Sequence, residues 1–422
     1  MIKNLQQDST VNRRFRYVPS SKPTTGHVMP YDHSFTRAQR IQNIEVSEIV
    51  QISENAAKLR AEGKDIVALS TGAPDFPTPA PVIEAAHKAA LEGQTSYTPT
   101  AGTPALRKAI ADTAGVQPEN VIVCTGAKQV LSNIMTATLN DGDEVIIPTP
   151  YWTTYSDIVA IAGGKAITVP CPMDQGFKIS PETLEASITE NTKWVMLNSP
   201  SNPSGAIYSA KEYKALAEVL KRHPQVWVVS DEIYEHLSYG DFQSFTKAVP
   251  ELADRTVVVN GVSKAWAMTG WRIGWGIGPV EIIKAMTAVQ GQVTSGTCSI
   301  AQAAAVEALL GDKAVLAERI EAFKQRRDFI VSALNDIPGF ECSTPDGAFY
   351  AFPCIEKAIE LSGQENDAAF CQWLLKTAHV AIVPGRAFGL PGYARISYAY
   401  GQEDLTEGVA RIKAAMTGIT KS

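Results

Sequence analysis

The chain has no CxxC pair, no histidine spacing that would ligate a metal, no long apolar run and no excess of basic residues. Each absence removes a class of function. Its six cysteines, at 124, 171, 298, 342, 354 and 371, are scattered, which fits free thiols in a reducing cytoplasmic setting better than a disulfide framework. The six histidines offer no ligand pattern, so no metal is expected. No stretch approaches the ~18 apolar residues that a membrane-spanning helix requires. A net charge of −6 supplies no basic patch for nucleic acid. Residues 1–40 carry Arg13, Arg14 and Arg16 but lack the apolar stretch of a secretory signal, and they read as a polar N-terminal arm. There is no internal repeat.

What remains is a globular chain of 422 residues, enough for one large domain and a smaller one. From residue 120 onward, apolar runs alternate with amphipathic stretches. The strands expected are Val121 to Cys124, Glu144 to Ile147, Lys193 to Leu197, Val226 to Ser230 and Thr256 to Asn260. Between them fall helices such as Gln129 to Leu139, Tyr151 to Ala162 and Ala210 to Leu220. Such alternation predicts an α/β fold with a mainly parallel sheet covered on both faces. Leu309 to Arg327 reads as one long charged helix. The expected division is an arm at 1–40, a small domain from 41–80 plus 325–422, and a large domain at 81–324.

Chemistry concentrates at the predicted strand ends, where α/β enzymes keep their sites. The stretch Asn260 to Gly274 places Lys264 just past a buried strand and Arg272 between Gly270 and Gly274, glycines that let the backbone turn tightly. A lysine can form a Schiff base with an aldehyde, and an arginine grips a phosphate with two parallel donors. Pyridoxal phosphate carries both groups. Gly126 and Ala127 join a strand to a helix, where exposed backbone N–H groups bind phosphate. Trp152 follows another strand and can stack on a ring. Asn202 precedes Pro203 in a polar loop and can donate to a phenolic oxygen. Asp231 ends a buried strand, where an ionised carboxylate needs a partner such as a protonated ring nitrogen, and Tyr234 is three residues on. Arg395 sits on a short apolar strand and wants a bidentate anion, such as a substrate carboxylate. Taken singly, these have ordinary structural readings: a turn, a core aromatic, a helix cap, a salt bridge.

In this order, the motifs resemble those of the class I/II aminotransferases that use pyridoxal phosphate on the type I fold. The subgroup they are most similar to is the bacterial aspartate, aspartate/prephenate and aspartate/aromatic enzymes. The resemblance runs from about Arg40 to the end. It implies a large domain built on a mainly parallel seven-stranded sheet, with a smaller α/β domain. It implies that Lys264 binds the cofactor aldehyde and moves the proton between Cα and C4′. Asp231 would pair with the ring nitrogen, Asn202 and Tyr234 would hydrogen-bond the ring oxygen, and Trp152 would stack on the ring. Arg272, Ser263 and the backbone at Gly126 and Ala127 would hold the phosphate. Arg395, with Asn202 and the Gly72 backbone, would take the substrate α-carboxylate. Tyr97 and the loop from Val293 to Cys298 resemble elements that cross to a neighbouring subunit, implying a homodimer with shared sites. Lys128 would recognise the distal carboxylate of aspartate or glutamate in a pocket also lined by Ser47. At Ile49, where some relatives have threonine, the pocket suits aromatic side chains as well. The other outcomes are a same-fold lyase or β-eliminase and a cofactor-binding regulatory protein. Residues 1–40 are too few for a DNA-binding module and linker.

Overall fold

The computed structural model describes residues 35–42 and 44–420, so most of the expected arm lies outside the described residues. Twelve strands occur among them: β1 (Val67–Ala68), β2 (Val121–Thr125), β3 (Glu144–Thr149), β4 (Lys165–Pro170), β5 (Thr192–Asn198), β6 (Trp227–Asp231), β7 (Thr256–Gly261), β8 (Ile273–Ile277), β9 (Tyr350–Ala351), β10 (Val380–Ala381), β11 (Val383–Pro384) and β12 (Ala394–Ser397). Seven of them form the main sheet in the order β2-β8-β7-β6-β5-β3-β4. All neighbours in it are parallel except at β8, which runs antiparallel to both β2 and β7.

Apart from its edge strand β4, the sheet is buried on both faces, and its residues alternate between two cores. Val121 and Val123 of β2 face one hydrophobic cluster, with Leu106 and Ala304, while Ile122 and Cys124 face another, with Val130 and Ile134. Helices on the two sides supply the partners: α2 (Ala80–Leu91) and α3 (Pro104–Ala114) on the first, α4 (Ala127–Thr138) and α5 (Thr154–Ile161) on the second. Ahead of them, α1 (Glu48–Ala61) packs through Ala56 beside Ile66 and Ala381. Local sequence sets these ends. Thr103 accepts a hydrogen bond from Leu106 N–H before Pro104 opens α3, and Gly115 closes that helix in the left-handed region at φ 74°. Beyond the main sheet, β1 pairs with β10, and β9, β12 and β11 form a second small sheet.

Three expectations need correction. The helix expected from Leu309 to Arg327 is two helices, Ser299–Leu310 and Ala314–Asn335. Gly311 separates them by turning the backbone to an extended conformation, at φ −74° and ψ −172°, in which a Cβ would meet the Glu307 carbonyl oxygen at 2.7 Å. The helix expected from Tyr151 begins only at Thr154; Tyr151 lies in the loop before it, its N–H donating to the Phe388 carbonyl, 3.0 Å away. β4 and β8 were not expected. β4 is an edge strand with several exposed residues, and β8 is rich in glycine, which sequence patterning reads as a break.

Candidate active site

The parallel strands β5, β6 and β7 end together, at Asn198, Asp231 and Gly261. Because β8 is reversed, it begins on that same edge, and its preceding residue, Arg272, is delivered there too. A cavity of about 330 Å³ opens along this edge. It gathers Lys264, Asp231, Tyr234, Asn202, Trp152 and Arg395, and at the phosphate side Ala127, Ser263 and Arg272. Gly72 and Lys128 also line it. Gly126 adjoins it as the residue before α4. Tyr97 and Ser47 do not line it: Tyr97 stands 98% exposed on the surface, and Ser47 lies just ahead of α1, two residues from Ile49, which does face the cavity.

Asp231, Lys264 and Arg395, all in this cavity, form no ion pair among the described residues. Asp231 is buried, accepting hydrogen bonds from Tyr155 Oη at 2.7 Å and Ile233 N–H at 3.2 Å. Burial raises its carboxyl pKa to about 6 against those two bonds and the Lys264 charge, so a further cation beside it would favour the ionised form. Lys264 is partly exposed as a residue, but its amine is enclosed, donating to the Gly72 carbonyl at 2.6 Å with the Tyr234 and Phe349 rings nearby. Burial first, then the Arg395 and Arg272 charges, lower its pKa to about 8. Arg395 is buried, donating to Asn202 Oδ1 at 3.0 Å and the Ser70 carbonyl at 2.6 Å; its Nε has no partner. A buried guanidinium without a carboxylate is costly unless a ligand anion completes it.

The phosphate side is shaped by close approach. A Cβ on Gly126 would meet Arg272 Nη2 at 2.5 Å, and one on Gly274 would meet Ala127 N at 2.3 Å. Glycine therefore lets the Arg272 guanidinium lie against the N-terminus of α4, where N–H groups and dipole favour an anion. Of the two glycines read as turn residues, Gly270 lies in a one-turn 3-10 helix, Thr269–Trp271, while Gly274 lies within β8. Neither takes a positive φ; Arg272 itself adopts the left-handed conformation, at φ 59°, held by its bond to the Thr269 carbonyl at 2.9 Å.

Sequence reasoning missed Tyr155, Tyr350 and Asn198, all of which line the cavity. Tyr155 fell inside a predicted helix without being singled out, and its contact with Asp231 carries no local signal. Tyr350 had none either. Asn198 ends β5 in a polar motif, and its Oδ1 accepts from Asn202 N–H at 2.8 Å, fixing that loop.

A cavity that gathers an enclosed amine, a buried carboxylate, a helix N-terminus beside a guanidinium and a buried arginine with an open Nε has the donor set that a phosphorylated aldehyde with a basic ring nitrogen requires. The donor set fits pyridoxal phosphate. The chain belongs to the aminotransferases of class I and II, whose family model matches residues 64–412, and it is a pyridoxal-phosphate-dependent transaminase of the type I fold. It is 51% identical over 394 residues to an aspartate aminotransferase of Rhizobium meliloti (strain 1021), covering 90% of this chain and 96% of that one. Identity is 48% over 393 residues to an aspartate/prephenate aminotransferase of Cereibacter sphaeroides, covering 90% and 98%. The solved aspartate aminotransferase from Thermus thermophilus with maleate superposes with a TM-score of 0.85 at 39% identity, covering 90% of this chain and all of that one (100%).

Among the described residues no helix is long and apolar enough to cross a membrane, and no cluster of three or more His, Cys, Asp or Glu is placed to hold a metal.

Proposed function

We propose that the enzyme moves the amino group of L-aspartate or L-glutamate, and also of aromatic amino acids, to a 2-oxo acid such as 2-oxoglutarate in a ping-pong reaction. One observation carries the choice of acidic substrates: Lys128 and Arg395 face the same cavity, and neither forms an ion pair among the described residues, the Asp157 carboxylate acting on Lys128 only from a distance. A dicarboxylate needs two cations. The relative solved with maleate, a dicarboxylate, supports this. The apolar Ile49 in the cavity wall favours tolerance of aromatic rings.

Bound pyridoxal phosphate supplies a conjugated pyridinium that delocalises the electron pair left when the substrate Cα–H bond breaks. In our assignment Asp231 keeps the ring nitrogen protonated. Lys264 Nζ anchors the cofactor, then accepts the Cα proton and returns it; its lowered pKa leaves free amine available near neutrality. Asn202 has its Oδ1 engaged by Arg395, so its Nδ2 is the donor for the ring oxygen, beside the Tyr234 hydroxyl. Trp152 forms the stacking wall. Arg272, Ser263 and the backbone at Gly126 and Ala127 hold the phosphate. Arg395, with Asn202 and Gly72, holds the α-carboxylate, and Lys128 the distal one, in the pocket that Ile49 lines. The exposed Tyr97 reaches a neighbouring phosphate in a homodimer with shared sites. Six unpaired thiols favour the cytoplasm. Segments 41–80 and 325–422 make up a small domain beside 81–324.

Single-turnover half-reactions, one amino acid at a time and followed by cofactor absorbance, test the substrate choice. Aspartate and glutamate should react fastest, with phenylalanine and tyrosine next. If alanine reacted as fast as aspartate, the acidic assignment would be lost.

A further inference from the structure

Tyr234 and Tyr350 are both buried, and their hydroxyls lie 2.9 Å apart. They come from distant parts of the chain: Tyr234 follows β6, and Tyr350 opens β9. Either oxygen can be the donor in the bare protein. A phenol has one proton to give, although its oxygen can accept more than one bond. If Tyr234 gives its proton to the cofactor's ring oxygen, it has none left for Tyr350. The contact must then run the other way.

We propose that Tyr350 is a positioning residue: its hydroxyl donates to Tyr234 and commits the Tyr234 proton to the cofactor's ring oxygen. This rests on the assignment of Tyr234 made above. Three further contacts hold Tyr350 in place for it. The two rings pack edge to face, with centroids 5.9 Å apart. A Cβ on Gly72 would come within 2.8 Å of Tyr350 Oη, so glycine at 72 makes room for this hydroxyl. Ser397 is the β12 partner of Tyr350, so Arg395, two residues away, shares its face, and the guanidinium lies 4.6 Å from the Tyr350 ring centroid. One aromatic ring thus bears on the α-carboxylate arginine through its face and on the cofactor's hydrogen-bond donor through its hydroxyl.

The readout is the pH midpoint of the bound cofactor's absorbance change, measured without substrate. Donation to the ring oxygen favours its unprotonated form, so losing a donor raises the midpoint. Tyr234→Phe should raise it by about 1–2 units, the loss of one charge-assisted hydrogen bond. Tyr350→Phe should raise it by a few tenths of a unit, since a supporting donor strengthens its neighbour's bond by roughly 10–30%. The double variant should match Tyr234→Phe alone. Placing 3-fluorotyrosine at position 350, a stronger donor of nearly the same size, should lower the midpoint and serves if the phenylalanine variant folds poorly. A fall in Tyr350→Phe would show that Tyr350 competes for the Tyr234 proton, and no change would make it packing alone; both overturn the proposal. An unchanged midpoint in Tyr234→Phe would instead remove the underlying assignment.

Discussion

The two ends of the active-site cavity are built from different material. At the cofactor end, Asp231 is the last residue of a central strand, and Lys264 and Arg272 flank the connection between two more. At the side-chain end, Lys128 and Ile49 come from the first turns of α4 and α1, and Trp152 from the loop before α5. Strand ends are fixed by hydrogen bonds on both sides and by buried faces, so the groups that do chemistry cannot drift. Helix starts are held mostly by one packed face. Lys128 shows the looseness: it is exposed, its Nζ rests 4.8 Å from the Trp152 ring centroid, and it forms no ion pair among the described residues, although the Asp157 carboxylate is near enough to act on its charge. On the roles proposed above, reactivity falls on the rigid end and selectivity on the adjustable one.

Substitutions at the two ends should therefore fail differently. The largest effect is expected from Lys264→Ala, which should lose transamination by several orders of magnitude while Arg272 and Asp231 still retain the cofactor. Turnover together with cofactor content after gel filtration checks it, and near-normal turnover would sink the assignment. Asp231→Ala should come next, slowing Cα proton loss by about 10²–10³-fold, because the carboxylate acts on charge that develops during the reaction. A deuterium isotope effect on the half-reaction reads this step directly; a change confined to KM would make Asp231 a structural cap. Lys128→Ala should cut kcat/KM for aspartate by about ten- to a hundred-fold, the loss of one charged hydrogen bond worth ~1.5–3 kcal/mol. Phenylalanine should change far less. Equal losses for both substrates would erase the contrast between the ends.

The smallest effect is one of pH. Only the free amine of Lys264 attacks an aldehyde, and its pKa is lowered to about 8, so cofactor loading into the apoprotein should speed up as pH rises through about 8 and then level off. Stopped-flow absorbance measures it. A rise continuing toward pH 10 would mean the amine is not enclosed as described.

The cofactor end was the more legible in sequence because its signals are local. Lys264 with Arg272, Asp231 with Tyr234, and Gly126 with Ala127 each sit in one short segment beside a recognisable strand. Tyr155 and Tyr350 were invisible for the opposite reason: their partners, Asp231 and Tyr234, lie 76 and 116 residues away. No periodicity or turn rule reaches across that distance, and a buried tyrosine reads as core. β8 escaped for a third reason. Its Gly274 and Gly276 weaken the strand pattern, yet both are required by neighbours on α4: a Cβ on Gly276 would meet Val130 at 2.9 Å. Closeness to a helix was mistaken for a break in structure.

The reversal of β8 also acts as a ruler. β7 ends at Gly261 and β8 starts at Ile273, with Gly261 paired to Gly274, so both ends of the link between them are pinned to the same edge of the sheet. Ser263, Lys264 and Arg272, the residues assigned to the cofactor's aldehyde and phosphate, all ride on that one link. Its length therefore sets the span between covalent anchor and phosphate grip, much as two jaws on one short spring share a fixed gap. A single residue inserted between Lys264 and Arg272 would alter that gap without touching any side chain, whereas an insertion at Gly311, between two outer helices, leaves it unchanged.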